Sequence, residues 1–255
     1  MSSYLYNYQT VVTFSMPVRQ HAVMLRCQPA ENGVQTVVQE HVTMPDNYQF
    51  CPGHDAFSNR ILYGGIMRPH SAFVYVSTGI VRRDLDTYDS DCGFLPVYSL
   101  PSQLTGINSE MKDFALSAKT AGGNTAEILC EKVFNMMRYA PETTTVITKA
   151  EDVFSLRCGV CQDYAHLMTA LCRAAGISAR YVNGFVEGTG QTHAWVEVFD
   201  GRRWLGYDPT HNRTAQKGYV KIAHGRDAND CPVNRGIFYG NAVQTTQISV
   251  TLQEL

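Results

Sequence analysis

The stretch from Cys161 to Gly176 constrains the fold more than any other part of the chain. Its apolar and small residues recur every three to four positions, as on one face of an α-helix: Cys161, Tyr164, Ala165, Met168, Leu171, Cys172 and Ala175. Gly176 follows where a helix commonly ends in a left-handed residue. The pattern therefore predicts a helix that begins at Cys161 and turns this cysteine toward whatever packs on the helix.

Three β-strands are expected after this helix, because apolar and β-branched residues concentrate in three short runs: 180–186, 193–199 and 202–207. The Asp-Gly pair between the last two runs favours a two-residue hairpin loop. Such a loop places Phe199 opposite Arg202. His193 then lies opposite Asp208, with their Cβ atoms roughly 4.5–5.5 Å apart.

This arrangement suits a nucleophilic cysteine. The free N–H groups of a helix start and a neighbouring imidazolium both favour the thiolate, which is the reactive form of a cysteine. If the helix packs on the hairpin, His193 can take the proton of Cys161 and Asp208 can fix the histidine tautomer. The backbone N–H of Cys161 is then free to bind an oxyanion. We therefore predict a catalytic triad of Cys161, His193 and Asp208.

The first hundred residues indicate a different kind of structure. Short runs of aromatic and β-branched residues alternate with Pro, Gly and Asn, as strands alternate with turns: 4–14, 21–28, 34–43, 60–63 and 72–78. The Asn32-Gly33 pair predicts a hairpin. Helical spacing takes over near residue 100. We predict a β-rich accessory domain at 1–102 and a catalytic core at 103–255.

Two capping boxes predict further helices before Cys161. Each pairs an N-cap residue with a glutamate three positions later: Asn124 with Glu127, and Thr148 with Glu151. The second of these helices is expected to end near Leu156.

Composition excludes several classes of function. A formal net charge of −2 gives no basic surface for nucleic acid, and no apolar run approaches the roughly 20 residues of a membrane span. The start of the sequence lacks the basic and apolar regions of a signal peptide. Eight cysteines in a chain of this size are expected to be reduced thiols. We therefore expect a cytoplasmic protein with neither a nucleic-acid nor a membrane partner.

Several motifs, in order along the chain, carry a resemblance to a known family. In the core they are 159–165 (GVCQDYA), 176–184 (GISARYVNG), 193–198 (HAWVEV), 208–210 (DPT), 225–227 with Asp230 and Pro232, and 236–240 (GIFYG). In the β-rich part they are Leu25-Arg26, 55–59 and 68–70. With these motifs the chain resembles the bacterial transglutaminase-like family of proposed cysteine proteases over nearly its whole length.

The resemblance implies an α+β fold, in which a papain-like transglutaminase core of helices packed on an antiparallel sheet follows a β-rich N-terminal domain. It carries Cys161, His193 and Asp208 over as the triad. It also implies acyl transfer on amide bonds of peptides or proteins through a thioester. We expect hydrolysis rather than amine transfer, because the sequence shows no dedicated site for a second substrate. Since no calcium-loop pattern is present, we expect no metal and no other cofactor.

The chain departs from the family at two places. Serine stands at position 58, where the family usually has glycine. Neither Trp195 nor Trp204 precedes Cys161, whereas eukaryotic transglutaminases use an upstream tryptophan near the oxyanion. The second departure argues against cross-linking activity.

Three alternative interpretations remain open. Cys158 and Cys161 have the spacing of a redox dithiol at a helix start. With His166 and Cys172 they form a possible zinc set, although His166 lies about 140° around the helix from Cys161 and no second close cysteine pair exists. The same fold could also serve as a catalytically silent module that binds peptides or proteins.

Three residues near the triad are also left open. His211 follows Asp208 closely and is a rival to His193 as the base. Trp195 and Glu197 share the face of His193 in the hairpin, where they either line a cleft or pack beneath it.

Overall fold

The computed structural model describes residues 1–44, 49–89, 95–119 and 123–255. The helices within these ranges are α1 (Ser109–Ser117), α2 (Thr125–Met136), α3 (Ala150–Leu156) and α4 (Cys161–Ala174), with a short 3-10 helix at Leu95–Ser99. The strands are β1 (Ser2–Leu25), β2 (Gln35–Thr43), β3 (Gln49–His54), β4 (Arg60–Ile66), β5 (His70–Arg83), β6 (Arg138–Tyr139), β7 (Cys158–Gly159), β8 (Ala179–Val186), β9 (Gly188–Gly190), β10 (His193–Phe199), β11 (Trp204–Asp208), β12 (Arg213–Thr214), β13 (Tyr219–Gly225), β14 (Asn234–Tyr239) and β15 (Gln244–Glu254).

The long strand β1 is the centre of the larger sheet, which has eight strands in the described part of the chain. Its first half pairs with β5 and β15, and its second half pairs with β4 and β14. Tyr4, Tyr6 and Tyr8 are buried and alternate with more exposed residues. This is the two-residue period of a strand with one covered face.

The smaller sheet holds five antiparallel strands in the order β12-β11-β10-β8-β13. Helix α4 packs on β8 and β10, and α1, α2 and α3 pack around α4. The chain leaves α4 through Gly176, whose φ of +79° is the predicted left-handed stop. Phe185 of β8 packs on Tyr6 and Tyr8 of β1, with ring centroids 5.7 and 5.3 Å apart. The two sheets therefore share one core, and the predicted combination of antiparallel sheets and helices is confirmed.

The larger sheet contains strands from both sides of the predicted domain boundary at residues 102 and 103. β14 and β15, both from the second part of the chain, pair antiparallel with β1, and β15 does so from Tyr4 to Phe14. The β-rich region is therefore completed by strands from the last quarter of the sequence. Because the pairing joins residues more than 200 positions apart, no local sequence pattern indicates it.

The turn predicted at Asn32 exists, but it does not close a hairpin. The Asn32 side chain accepts the N–H of Val34 at 3.0 Å, as in an Asx turn, and also the N–H of Gln35 at 2.9 Å. The strands on either side, β1 and β2, are not paired with each other, and β2 pairs with β5 instead.

One of the two predicted capping boxes is displaced. The cap of α2 is confirmed, because the Asn124 side chain accepts two N–H groups of the first turn. Helix α3 begins one residue later than predicted, with Lys149 as its N-cap, and Asp152 accepts the Lys149 N–H. The Thr148 hydroxyl instead accepts the N–H of Thr145 in the preceding turn.

A polar network connects the β-rich region to the core. Arg26 donates two hydrogen bonds to Asp55 Oδ2, at 3.0 and 2.7 Å, and a third to the Pro232 carbonyl at 3.1 Å. The Asn59 side-chain amide donates to Asp55 Oδ2 and to the His224 carbonyl of β13 at 2.8 Å, and its oxygen accepts the His224 N–H at 2.9 Å. The motifs at 25–26 and 55–59 therefore fasten the larger sheet to β13.

The serine at position 58 lies within this fastening turn. Its φ is +63°, in the left-handed region that glycine adopts at lower cost. The conformation explains why glycine is usual at this place, and the Asp55 side chain holds the turn by accepting the N–H groups of Phe57 and Asn59.

None of the described helices is long and apolar enough to cross a membrane. The seven described cysteines are all free thiols, and four of them are fully buried: Cys27, Cys130, Cys172 and Cys231.

We expect Leu252→Ala to destabilise the protein by about 2–5 kcal/mol, because Leu252 of β15 is buried in the shared core and truncation leaves a cavity. The neighbouring Thr251 is exposed on the same strand, so Thr251→Ala is the matched control and should change the free energy of unfolding by under about 0.5 kcal/mol. Urea denaturation measures both variants. Equal effects would show that β15 contributes no core packing.

Candidate active site

Helix α4 begins at Cys161 because Asp163 closes its first turn. The Asp163 carboxylate accepts the N–H of Val160, the N-cap residue, at 2.8 Å, and also accepts the Thr144 hydroxyl at 2.6 Å. Gly159 has a φ of +157°, and a Cβ there would collide with this carboxylate. Burial raises the pKa of Asp163 despite these two hydrogen bonds. The Gly-Val-Cys sequence therefore delivers Cys161 to the first helical position.

The hairpin after α4 has a different register from the predicted one. Phe199 pairs with Trp204 rather than Arg202, because the loop spans four residues instead of two. The Asp200 side chain accepts the N–H groups of Arg202 and Arg203 at 2.9 and 3.0 Å, and these bonds form the longer turn. The predicted register is therefore wrong by two residues.

His193 and Asp208 meet in spite of this error. A shift of two residues leaves every side chain on its own face of the sheet, so the pair become diagonal neighbours instead of direct ones. The Nε2 atom of His193 lies 2.7 Å from Oδ2 of Asp208. Cys161 and His193 line the same cleft, and the Cys161 side chain is among the groups that raise the pKa of His193. The three residues predicted as a triad therefore lie together at one site.

Asp208 is fully buried and accepts five hydrogen bonds. Its Oδ2 atom accepts bonds from His193 Nε2, His211 Nδ1 and the Tyr219 hydroxyl at 2.7, 2.7 and 2.6 Å. Its Oδ1 atom accepts the backbone N–H groups of Thr210 and His211 at 2.9 and 3.3 Å. Burial opposes the charge, but the donors outweigh it and hold the pKa of Asp208 well below its usual range.

The contact that lowers the pKa of Asp208 raises the pKa of His193. Burial favours the neutral imidazole, but the hydrogen bond to the Asp208 carboxylate and the interaction with the Cys161 side chain raise the pKa of His193 to about 9. The ring lies against Trp195 and Tyr219, with centroids 6.5 and 6.3 Å away. The histidine is therefore held as an imidazolium beside the cysteine over most of the neutral pH range.

A cleft of about 840 Å³ opens over Cys161 and His193. Its walls are formed by Tyr139, Pro141 and Val160 on one side and by the segment 186–192 with Thr210 and His211 on the other. In the described part of the chain, no hydrogen bond engages the backbone N–H of Cys161. This N–H is available at the first helical position, as predicted for an oxyanion donor.

Two residues left open by the sequence, Trp195 and Glu197, are structural. Trp195 is buried in a cluster with Val182 and Tyr219, so it packs beneath the site. Glu197 is likewise structural, because it pairs with Arg180 and Lys221 at 2.6 and 2.8 Å.

Two histidines are likewise distinguished by their surroundings. His166 is buried in the core, where its Nε2 accepts the Ala228 N–H, and burial lowers its pKa to about 4. His211 lies at the cleft and shares Asp208 with His193, with the two rings 5.1 Å apart. Cys161 is among the groups that raise the pKa of His193, so the electrostatic interaction with the thiol is made by His193.

Two residues of the site carried no signal in the sequence. Tyr219, the third donor to Asp208, sits on β13 after an irregular segment, and no motif spacing connects it to the triad. Tyr139 lines the cleft from β6, which pairs with β7 directly before α4. Only the sheet pairing brings each of them to the site.

His193, Asp208 and His211 also form a set with the chemistry of metal ligands. Their ligand atoms lie within 4.8 Å of one another. The set is already connected by two 2.7 Å hydrogen bonds, which join Asp208 Oδ2 to one ring nitrogen of each histidine. The zinc set considered from the sequence is not assembled, since His166 faces the core and Cys172 is fully buried.

Two family models match the chain in order. The bacterial transglutaminase-like N-terminal region matches residues 4–82, and the transglutaminase-like superfamily core matches residues 112–209, which include Cys161, His193 and Asp208. The chain therefore carries a transglutaminase-like superfamily core after the bacterial N-terminal region, and the resemblance inferred from the motifs is confirmed.

Curated relatives extend the similarity to several organisms. An uncharacterized protein of Mycobacterium tuberculosis is 35% identical over 130 residues, which cover 45% of this chain and 41% of that protein. An uncharacterized protein of Mycobacterium leprae is 25% identical over 90% of this chain and 91% of its own length. A peptide-N(4)-(N-acetyl-beta-glucosaminyl)asparagine amidase of Gallus gallus is 38% identical over 78 residues, 30% of this chain and 11% of that enzyme. The chain thus spans less than half the length of the first of these relatives.

A solved structure shows the same fold. It is that of a proposed cysteine protease from Cytophaga hutchinsonii, with a TM-score of 0.84, 24% identity, and coverage of 100% of this chain and 91% of that one. The transglutaminase-like fold, with antiparallel sheets and a few helices, therefore extends across both parts of the chain.

We expect the His193 imidazole to titrate near pH 9 and Asp208→Asn to lower this pKa by at least about two units, because a neutral amide no longer stabilises the imidazolium. Histidine ring NMR as a function of pH measures both values. His166, with its pKa near 4, is the internal control for folding and should be unaffected. An unchanged His193 pKa would mean that the Asp208 carboxylate does not stabilise the His193 imidazolium.

The raised pKa of His193 also has a defined effect on stability. Because the folded value exceeds the usual 6.5, the contribution is fully present below about pH 6.5 and is lost as the pH rises through about 9.

Proposed function

We propose that the chain is a cysteine-dependent hydrolase of amide bonds in peptides or proteins, built on a papain-like version of the transglutaminase-like fold. One observation carries the proposal: Cys161 and His193 line the same open cleft, and His193 is hydrogen-bonded to the buried carboxylate of Asp208 at 2.7 Å. In this proposal Cys161 is the nucleophile, His193 the acid and base, and Asp208 the group that orients the histidine.

The reaction has two halves. The Cys161 thiolate attacks the amide carbonyl carbon, the C–N bond breaks, and the leaving amine or ammonia takes a proton from the His193 imidazolium. The thioester that remains is attacked by water, which gives a proton to His193. The C–S bond then breaks, and the carboxylic acid leaves. The backbone N–H of Cys161 stabilises the oxyanion in both halves.

Hydrolysis is favoured over transfer to an amine. The cleft is open above Cys161 and His193, so water reaches the thioester without a dedicated site. The amidase among the relatives supports an amide substrate. We also propose that the protein is cytoplasmic and acts without a metal, since free thiols and the three triad residues suffice for this chemistry.

We expect iodoacetamide near neutral pH to alkylate Cys161 selectively, and His193→Ala to slow this alkylation by at least about tenfold, because the imidazolium no longer supports the thiolate. Peptide mapping by mass spectrometry identifies the modified sites. Cys158→Ala is the matched control, since Cys158 is a half-buried neighbour without a role in the reaction, and it should retain selective labelling of Cys161. Dialysis against EDTA should change none of these rates.

Other outcomes of the alkylation point to the two competing functions. Equal labelling of Cys158 and Cys161, appearing only after reduction, would replace the hydrolase with a dithiol redox protein. A Cys161 that reacts no faster than an ordinary exposed thiol, with or without His193, would replace it with a silent binding module.

We expect the chain to release acid rather than amine-linked products. Incubating casein with the enzyme and excess putrescine should yield new carboxylates without putrescine adducts, because no second amine site competes with water. Mass spectrometry of the digested casein separates the two products, and Cys161→Ala gives the background. A majority of adducts would make the chain a transferase.

A further inference from the structure

The segment between β8 and β10 bridges the two sheets. β8 and β10 pair in the smaller sheet, with Gly184 opposite His193. Between them, β9 leaves that sheet and pairs antiparallel with β15 of the larger one, with Gly190 opposite Val250. In the strand order of the larger sheet β9 is the last strand, so one of its edges has no neighbouring strand among the described residues.

Alternate residues of β15 direct their N–H and C=O groups to opposite neighbouring strands. This alternation determines which backbone groups of β9 face the open edge. In an antiparallel pair, alternate residues direct both their N–H and C=O to the same neighbour. The Leu255 N–H donates to the Ser3 carbonyl, so the odd-numbered residues of β15 face β1. The even-numbered residues Val250 and Leu252 therefore face β9, where they oppose Gly190 and Gly188.

Thr189 lies between these two glycines, so its N–H and C=O point away from β15. Neither group has a hydrogen-bond partner in the described parts of the chain. All three residues of β9 are exposed, and nothing lies within 4 Å of where a Cβ would stand on Gly188 or Gly190. The backbone edge is therefore unobstructed.

This edge forms part of the cleft wall. Gly188, Thr189 and Gly190 line the cleft that contains Cys161 and His193. Thr189 is four residues before His193, which corresponds to at most about 13 Å of extended chain. A peptide that lies along the wall therefore reaches Cys161 within a few residues of Thr189.

We propose that the substrate is an extended peptide segment whose main chain adds to β9 as an antiparallel strand. One substrate residue, two to four positions from the attacked amide, exchanges two main-chain hydrogen bonds with Thr189. This proposal rests on the proposed hydrolase function and narrows its substrate to unfolded or extended chain segments. Because the contacts are made by backbone, the side chain opposite Thr189 contributes little to selection.

The test compares reactive probes of different length. Acetyl-alanine and acetyl-tetraalanine chloromethyl ketones carry the same electrophile, and only the longer one reaches β9. We expect the second-order rate of Cys161 alkylation to be at least about tenfold higher for the longer probe, because two hydrogen bonds are added. N-methylation of its alanines one at a time should remove this gain at one interior position and spare it at the adjacent ones, since adjacent residues face opposite edges of a strand.

A pair of variants tests the same contact from the protein side. Thr189→Pro removes the N–H that faces the cleft without touching the bonds between β9 and β15, so the ratio of the long-probe rate to the iodoacetamide rate should fall toward that of the short probe. Thr189→Val keeps the N–H and should retain the wild-type ratio. The N-methyl series on the unmodified protein gives an answer even if the proline variant does not fold.

The outcomes separate this proposal from the function on which it rests. Equal rates for long and short probes, or N-methyl effects without alternation, would overturn strand addition while leaving Cys161 as the nucleophile. Failure of iodoacetamide and both ketones to label Cys161 would overturn both proposals.

Discussion

The site depends on the buried carboxylate of Asp208 and on the hydrogen bonds that this carboxylate accepts. A charge removed from water costs several kcal/mol unless hydrogen bonds replace its hydration. Here five donors do so, and they come from three separate pieces of the fold: His193 on β10, the backbone and side chain of the turn at Thr210 and His211, and Tyr219 on β13. Hydrogen bonds to a charged group contribute about 1.5–3 kcal/mol each, so the carboxylate holds these pieces together as well as orienting the histidine.

The sequence predicted helix α4 and the position of Cys161 at its start well, because both depend on local patterns. Helical spacing and the left-handed stop at Gly176 placed the helix, and its start at Cys161 followed from the turn before it. The hairpin register depended on one loop, where the Asp200 side chain favoured a four-residue turn that a dipeptide rule does not foresee. The predicted contact between His193 and Asp208 is still present, because the hairpin register was wrong by an even number of residues. Such a shift leaves both side chains on the same face of the sheet.

Long-range pairing accounts for what could not be predicted. The sequence analysis assigned β14 and β15 to the catalytic core, because both follow residue 102. In the structure, β15 instead lies beside β1 along eleven residue pairs. Tyr219 reaches Asp208 only because β13 pairs with β8, and the alternation of side chains along β13 gives no reason to connect it with a triad. The motifs at 25–26 and 55–59 were visible in the sequence, but no structural role for them could be read from it. In the structure their Arg26–Asp55–Asn59 network connects the larger sheet to β13, the strand that carries Tyr219.

The pairing of β9 with β15 has a consequence for the order of assembly. The two partners are about sixty residues apart, and β15 is itself held by β1 at the opposite end of the sequence. During synthesis a chain can already contain Cys161, His193 and Asp208 while the cleft wall beside them still lacks its neighbouring strand. Contacts of such high sequence separation form slowly and late. A nascent chain of this kind therefore contains Cys161, His193 and Asp208 before its cleft wall is formed. Under the proposed strand addition, ordered peptide binding waits until residues near 250 have emerged.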